Sequence, residues 1–175
     1  LQRSTASTLD YEKRKSTMLS FECAKDGCLF IDGFNLIITL EVALSGSPVL
    51  LGKDMVFRDL AGLRGTYRLI DKTDIALTLI GKTLRDLSVP MVKFYLDSPV
   101  SNSGRLKSKI LECSESWAGL PVEVELINNV DAVLMCKERI VTGDSIILDH
   151  CKSWFNLSRK IIEDYIKDVW IIDLG

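Results

Sequence analysis

Apolar residues in this chain gather in short runs, and the stretches between them repeat apolar positions at helical spacing. The runs CLFID (Cys28–Asp32), MVKFYLD (Met91–Asp97), VEVELI (Val122–Ile127), RIVTGD (Arg139–Asp144) and VWIIDL (Val169–Leu174) read as strands. VEVELI alternates with period two, whereas VWIIDL is apolar enough to predict a buried final strand. Helical spacing appears in NLIITLEVAL (Asn35–Leu44), KTDIALTLIGKTLRDL (Lys72–Leu87), SGRLKSKILECSESW (Ser103–Trp117) and SWFNLSRKIIEDYI (Ser153–Ile166). Strands that alternate with helices predict an α/β fold with a mostly parallel sheet.

Two stretches break that rhythm. Residues 1–27 are polar and mixed in charge; they read as an N-terminal segment with a short helix, ahead of a domain spanning residues 28–175. The stretch LSGSPVLLGKDMVFRDLAGLRGTYRL holds four glycines in no clear period, and predicts an irregular insertion before the crossover helix. The chain begins at Leu1 rather than Met, so a longer parent protein is an open expectation.

Composition narrows the class. A hydrophobic share of 47% over 175 residues suffices for one core without disulfide staples. The net charge of −2 leaves no global field to attract nucleic acid, so any such contact must come from a local basic face. Five cysteines, odd in number and without CxxC spacing, favour reduced thiols and a cytoplasmic setting. Cys23, Cys28, His150 and Cys151 fit no common zinc spacing and read as packing residues. No stretch has the length and apolarity of a membrane span, so no membrane partner is expected.

The chemistry sits where strands end. CLFID closes on Asp32, KFYLD on Asp97 and RIVTGD on Asp144, while Asp131 follows VEVELI at the start of a helical turn. One strand-end Asp is usually a helix cap. Several at one edge of a parallel sheet repel each other unless a cation neutralises them, and hard oxygen ligands suit Mg²⁺ or Mn²⁺. Two such ions roughly 4 Å apart stabilise the attacking and leaving oxygens of a phosphodiester in displacement. Asn35 falls on the first turn after Asp32, within reach of a substrate phosphate, and Gly33 permits a sharp turn between them. The loop SPVSNSGR offers Ser101, Asn102 and Arg105 beside a helix start as a candidate anion cradle. Arg64 and Arg68, four apart, with Arg58 upstream, are candidate phosphate contacts.

FIDGFN on the first strand, an Asp closing the second, NVDAVL, and IVTGDS late in the chain together resemble the PIN-like nuclease superfamily, in particular its NYN group. The fuller string IDGFNLIITLE, FRDLAGLRGTYR, DSPVSNSGR and VTGDS also looks like a PIN-like family known only as a domain of unknown function. The resemblance runs from Leu29 to Leu174. It implies a three-layer α/β/α sandwich that hydrolyses RNA or single-stranded nucleic acid with Mg²⁺ or Mn²⁺, and it leaves a homodimer open. On this resemblance Asp32, Asp97 and Asp144 are the catalytic carboxylates, and Asp131 completes the metal-binding set. One departure stands out: where the group ends in S-G-D-S-D, this chain has Ile146 in place of the second acid. Asp149, one helical turn on, is the candidate replacement ligand.

Two other readings compete. The same fold with a weakened site is a module that binds RNA or a protein without cutting. VTGDSIILD also looks like the last motif of haloacid-dehalogenase-type phosphatases, but those enzymes need an Asp two residues after the nucleophile, where this chain has Phe34.

Overall fold

The computed structural model describes residues 8–60 and 65–175. Four strands form the central sheet in the order β5-β4-β1-β6: β1 (Leu29–Asp32), β4 (Val92–Asp97), β5 (Val122–Ile127) and β6 (Ile140–Val141). Every pairing among them is parallel. β1 aligns Asp32 with Tyr95 of β4 and Ile31 with Val141 of β6, so all four carboxyl ends lie along one edge.

Alternation along the strands builds two separate cores, one on each face. Leu29, Ile31, Val92, Phe94 and Leu96 pack to one side, under helices α2 (Gly33–Leu44), α3 (Asp71–Asp86), α4 (Ser103–Ser114) and α7 (Leu157–Tyr165). Phe30 and Tyr95 point the other way, toward α5 (Val130–Leu134) and α6 (Ser145–His150), with Trp154 buried among them. Helices on both faces of a parallel sheet make a three-layer α/β/α sandwich, in keeping with the α/β fold that the alternating pattern predicts and the layering that the resemblance implies. α1 (Thr8–Thr17) packs on α6, and a 3-10 helix (Phe21–Asp26) leads from it into β1.

Three expectations are corrected. VWIIDL is neither central nor buried: β7 (Ile171–Asp173) pairs with β2 in a second sheet of order β3-β2-β7, leaving Trp170 59% and Ile171 45% exposed. The insertion is not wholly irregular, because β2 (Val49–Leu51) and β3 (Phe57–Asp59) form an antiparallel hairpin there. The last helix begins at Leu157 rather than Ser153, since Trp154 instead bridges Ile140 of β6 and Met18 and closes that edge of the sheet. Among the described residues, no helix is long and apolar enough to cross a membrane.

Candidate active site

The connections fix where a crevice opens. After β1 the chain enters α2 on one face, and after the adjacent β6 it enters α6 on the opposite face. The same divergence separates α4, after β4, from α5, after β5. Such switch points leave room at the carboxyl ends of the strands, where ligands of open α/β sheets bind. Asp32 and Asp144 flank the first divergence; Asp97 and Asp131 flank the second.

Asp32 is 6% exposed and lies at the N-cap position of α2 without capping it through its side chain. Burial pushes its carboxyl up to about 7; the hydrogen bond from Thr142 opposes this, and the charges of Asp131, Asp144 and Asp97 add to it. Thr142 Oγ1 donates to Asp32 Oδ2 at 2.8 Å and accepts the Asp144 N–H at 3.1 Å. Asp144, buried, caps α6 by accepting the Ile146 N–H at 2.9 Å. Asp97 Oδ1 accepts the Val130 N–H at 3.2 Å, holding the start of α5. The charges of three carboxylates thus bear on Asp32, and two of the three, Asp97 and Asp144, also hold helix starts.

Gly33 makes the Asp32 geometry possible. A Cβ there would lie 2.5 Å from Leu96 Cδ2 and 3.1 Å from the Tyr95 carbonyl, so α2 starts pressed directly against β4. Asn35 uses its Oδ1 to accept the Gly143 N–H at 2.7 Å. The Gly143 carbonyl on the other side accepts from Arg58 Nε at 2.6 Å. A side chain at Gly143 would press on Phe57, Val56 and Asn35 at 3.3 to 3.4 Å. The peptide that delivers Asp144 is therefore held from both sides.

Other sequence candidates fall elsewhere. Ser101 Oγ accepts the Tyr67 N–H at 2.8 Å, and Asn102 Nδ2 donates to the Tyr67 carbonyl at 2.6 Å; both fasten the residue 65–67 segment onto the loop before α4. Arg105 is exposed on the first turn of α4, and Arg68 is exposed in an irregular segment rather than on a helix. Arg64 lies outside the described residues. Arg58, upstream in the same Arg-rich segment, is buried and bound to Asp54. Asp149 accepts from Arg14 at 2.7 and 3.1 Å, so its carboxylate already has a cationic partner. Phe34, at the position a phosphatase would need for its acid, is buried in the core against Tyr67.

Sequence reasoning missed Thr142, although it lies inside the VTGDS motif; its role depends on the β1–β6 pairing that sets it level with Asp32. It also missed Asp54, whose spacing of four from Arg58 was the available signal.

The donor chemistry suits a hard divalent cation. Burial holds the Asp32 carboxyl above its usual range and the charges of three other carboxylates add to that, so positive charge brought there favours its ionised form. Among the described residues, no group of three or more His, Cys, Asp or Glu side chains is disposed to hold a metal ion as it stands. Mg²⁺ commonly takes only one or two protein carboxylates and completes its shell with water and substrate phosphate, so the set suffices for that mode of binding.

Uncharacterized protein MJ0935 of Methanocaldococcus jannaschii is 32% identical over 167 residues, an alignment covering 94% of this chain and 79% of that protein. No solved structure matches the chain. A family model matches residues 21–160, from the 3-10 helix before β1 to the middle of α7 and including all four strand-edge carboxylates. The chain belongs to that family, described as Domain of unknown function (DUF5616).

Proposed function

We propose that the protein is a Mg²⁺- or Mn²⁺-dependent phosphodiesterase acting on RNA or another single-stranded nucleic acid. One observation supports the reading: Asp32, Asp97, Asp131 and Asp144 all end or follow strands at the carboxyl edge of a parallel sheet, where the charges of the other three add to burial in raising the pKa of Asp32. Asp32 and Asp144 would hold the ion, with Asp97 and Asp131 contributing directly or through water. When bound, the ion supplies Lewis-acid polarisation of the phosphate and a water of lowered pKa. The chain's own groups do the rest. Thr142 keeps Asp32 oriented through the Oγ1–Oδ2 hydrogen bond, and Asn35 fixes the Asp144 loop through Gly143. Arg105, exposed on the first turn of α4, would be the candidate contact for a substrate phosphate.

A second reading keeps the binding and drops the cleavage. It rests on Ile146, 51% exposed at the position where the NYN pattern that the chain resembles has an acid, and on Asp149, whose carboxylate pairs with Arg14. The experiment that separates the two combines Mn²⁺ titration with a single-stranded RNA degradation assay on wild type, Asp32→Asn and Asp144→Asn. Cleavage that needs Mn²⁺ and disappears in both variants supports the enzyme; RNA binding without cleavage supports the module. A pure protein that neither binds Mn²⁺ nor cleaves RNA overturns the nuclease reading.

A further inference from the structure

The strongest unexplained feature of the fold is a chain of buried charges that leaves the site and returns to it. Arg58 donates through Nε to the Gly143 carbonyl at 2.6 Å, and its two terminal nitrogens grip Asp54 at 3.0 and 2.6 Å. Asp54 Oδ2 also accepts from Arg14 Nη1 at 2.8 Å. The same Arg14 donates from Nε and Nη2 to both oxygens of Asp149 on α6. Asp144, the residue next to Gly143, is the N-cap of α6. The circuit therefore runs from Gly143 through Arg58, Asp54, Arg14 and Asp149 and closes along α6 on Asp144.

Two features argue that the circuit does more than fill space. The Arg14 and Asp54 side chains are each 2% exposed, and burying unpaired charge is costly, so their fork geometry constrains everything they touch. Trp154 also donates from Nε1 to the Arg14 carbonyl at 2.8 Å, which fixes the backbone from which the guanidinium projects. α1 enters the circuit through the Arg14 side chain, from outside the family-matched span of residues 21–160.

We infer that Arg14 of the N-terminal helix is a positioning residue for the Asp144 edge of the site, acting through Asp54–Arg58–Gly143 on one side and Asp149–α6 on the other. The inference rests on the proposed metal reading only where it assigns Asp144 a ligand role; the positioning itself is a property of the loop. The circuit has no slack: a neutral residue at position 14 leaves Asp54 and Asp149 without their shared cation. Arg58 and α6 are then free to relax, and the Gly143 peptide moves with them.

The test uses the whole chain with Arg14→Gln, Asp149→Asn and a control, Lys109→Ala, whose partners Asp74 and Glu112 lie away from the circuit. Two quantities are read well below each variant's own melting temperature: the backbone amide resonances of Gly143 and Ile146, and the Kd for Mn²⁺. The expected result is displaced resonances in Arg14→Gln and Asp149→Asn, Mn²⁺ binding weakened roughly ten- to hundredfold, and neither change in the control. Should Arg14→Gln fail to fold, Asp149→Asn decides, because it keeps the Arg14–Asp54 pair. Variants that melt earlier yet keep wild-type Gly143 and Ile146 resonances overturn the inference and leave Arg14 a purely structural residue. A wild type that binds no Mn²⁺ overturns the metal reading instead, and the amide resonances alone then decide on positioning.

Discussion

Thr142 Oγ1 lies 2.8 Å from Asp32 Oδ2, and the hydrogen bond it donates opposes the rise in the Asp32 pKa. The same hydroxyl accepts the Asp144 N–H, so a single side chain couples the two strand-edge acids. Thr142→Val keeps the shape and removes both contacts. It should raise the Asp32 pKa further and destabilise the fold by about 1–3 kcal/mol, the usual cost of stranding buried polar groups. Carboxyl ¹³C titration and urea unfolding at neutral pH measure the two effects; an unchanged Asp32 pKa would contradict the coupling.

Asp32 also sets a pH dependence of known sign. Its folded pKa of about 7 lies above the ordinary 3.8, so between those values the folded state binds more protons than the unfolded one. Stability contributed by the protonated form is complete below about pH 4 and falls as pH rises through 7, by an amount on the order of 4 kcal/mol. Asp54 works in the opposite direction. Burial would raise its pKa, but Arg58, the Val56 N–H and Arg14 outweigh that and hold it below the ordinary value. Its contribution is present above pH 4 and is lost on acidification. Asp32→Asn should therefore be more stable than wild type at pH 8 and lose the decline between pH 4 and 7, while acid unfolding at lower pH persists. Mn²⁺ should recover the lost stability at pH 8 in wild type only. Thermal melts across pH with and without Mn²⁺ test this, and identical pH profiles would refute it.

Glycines at two helix starts predict opposite signs. An added methyl at Gly33 meets Leu96 Cδ2 at 2.5 Å and the Tyr95 carbonyl at 3.1 Å, whereas at Gly104 it meets nothing within 4 Å. Gly33→Ala should cost about 1–3 kcal/mol through overpacking and push α2 off β4, displacing Asp32 with it. Gly104→Ala, on the first turn of α4, should instead stabilise by about 0.4–1 kcal/mol by restricting the unfolded chain. Denaturant midpoints of the pair give the comparison directly.

The parts of this architecture that follow from local pattern were legible in sequence, and those that follow from pairing were not. CLFID and KFYLD declare themselves as strands because apolar residues on both faces are needed between two helix layers. The hairpin strands Val49–Leu51 and Phe57–Asp59 are three residues each, too short to establish a period. VWIIDL has the composition of a buried strand, yet its partner is the short strand β2 of the second sheet rather than a strand of the central one. At the site, the strand-end acids could be read from sequence, since strand ends in a parallel sheet share an edge. The Arg14–Asp149 pair could not, because 135 residues separate the two and no local signal marks either. The burial of Arg58 could not be read either, because it depends on the hairpin that carries it.

Ile146 gives the sharpest test of how complete the site is. It is the second residue of α6, 51% exposed, with its N–H already accepted by Asp144. A carboxylate there would sit beside the four-acid edge and also near the positive end of the helix. That helix position favours an acid by about 0.3–1 kcal/mol, which limits the cost of adding charge. Ile146→Asp should therefore fold, raise the Asp32 pKa through one more negative neighbour, and tighten Mn²⁺ binding roughly tenfold as the ligand charge grows. If the protein is a nuclease limited by this missing acid, Mn²⁺-dependent RNA cleavage should rise along with affinity. Tighter Mn²⁺ binding with no cleavage in either form would favour the binding module. An unaltered Mn²⁺ affinity would mean that position 146 does not face the cluster, and that the departure from the nuclease pattern has no consequence for the metal.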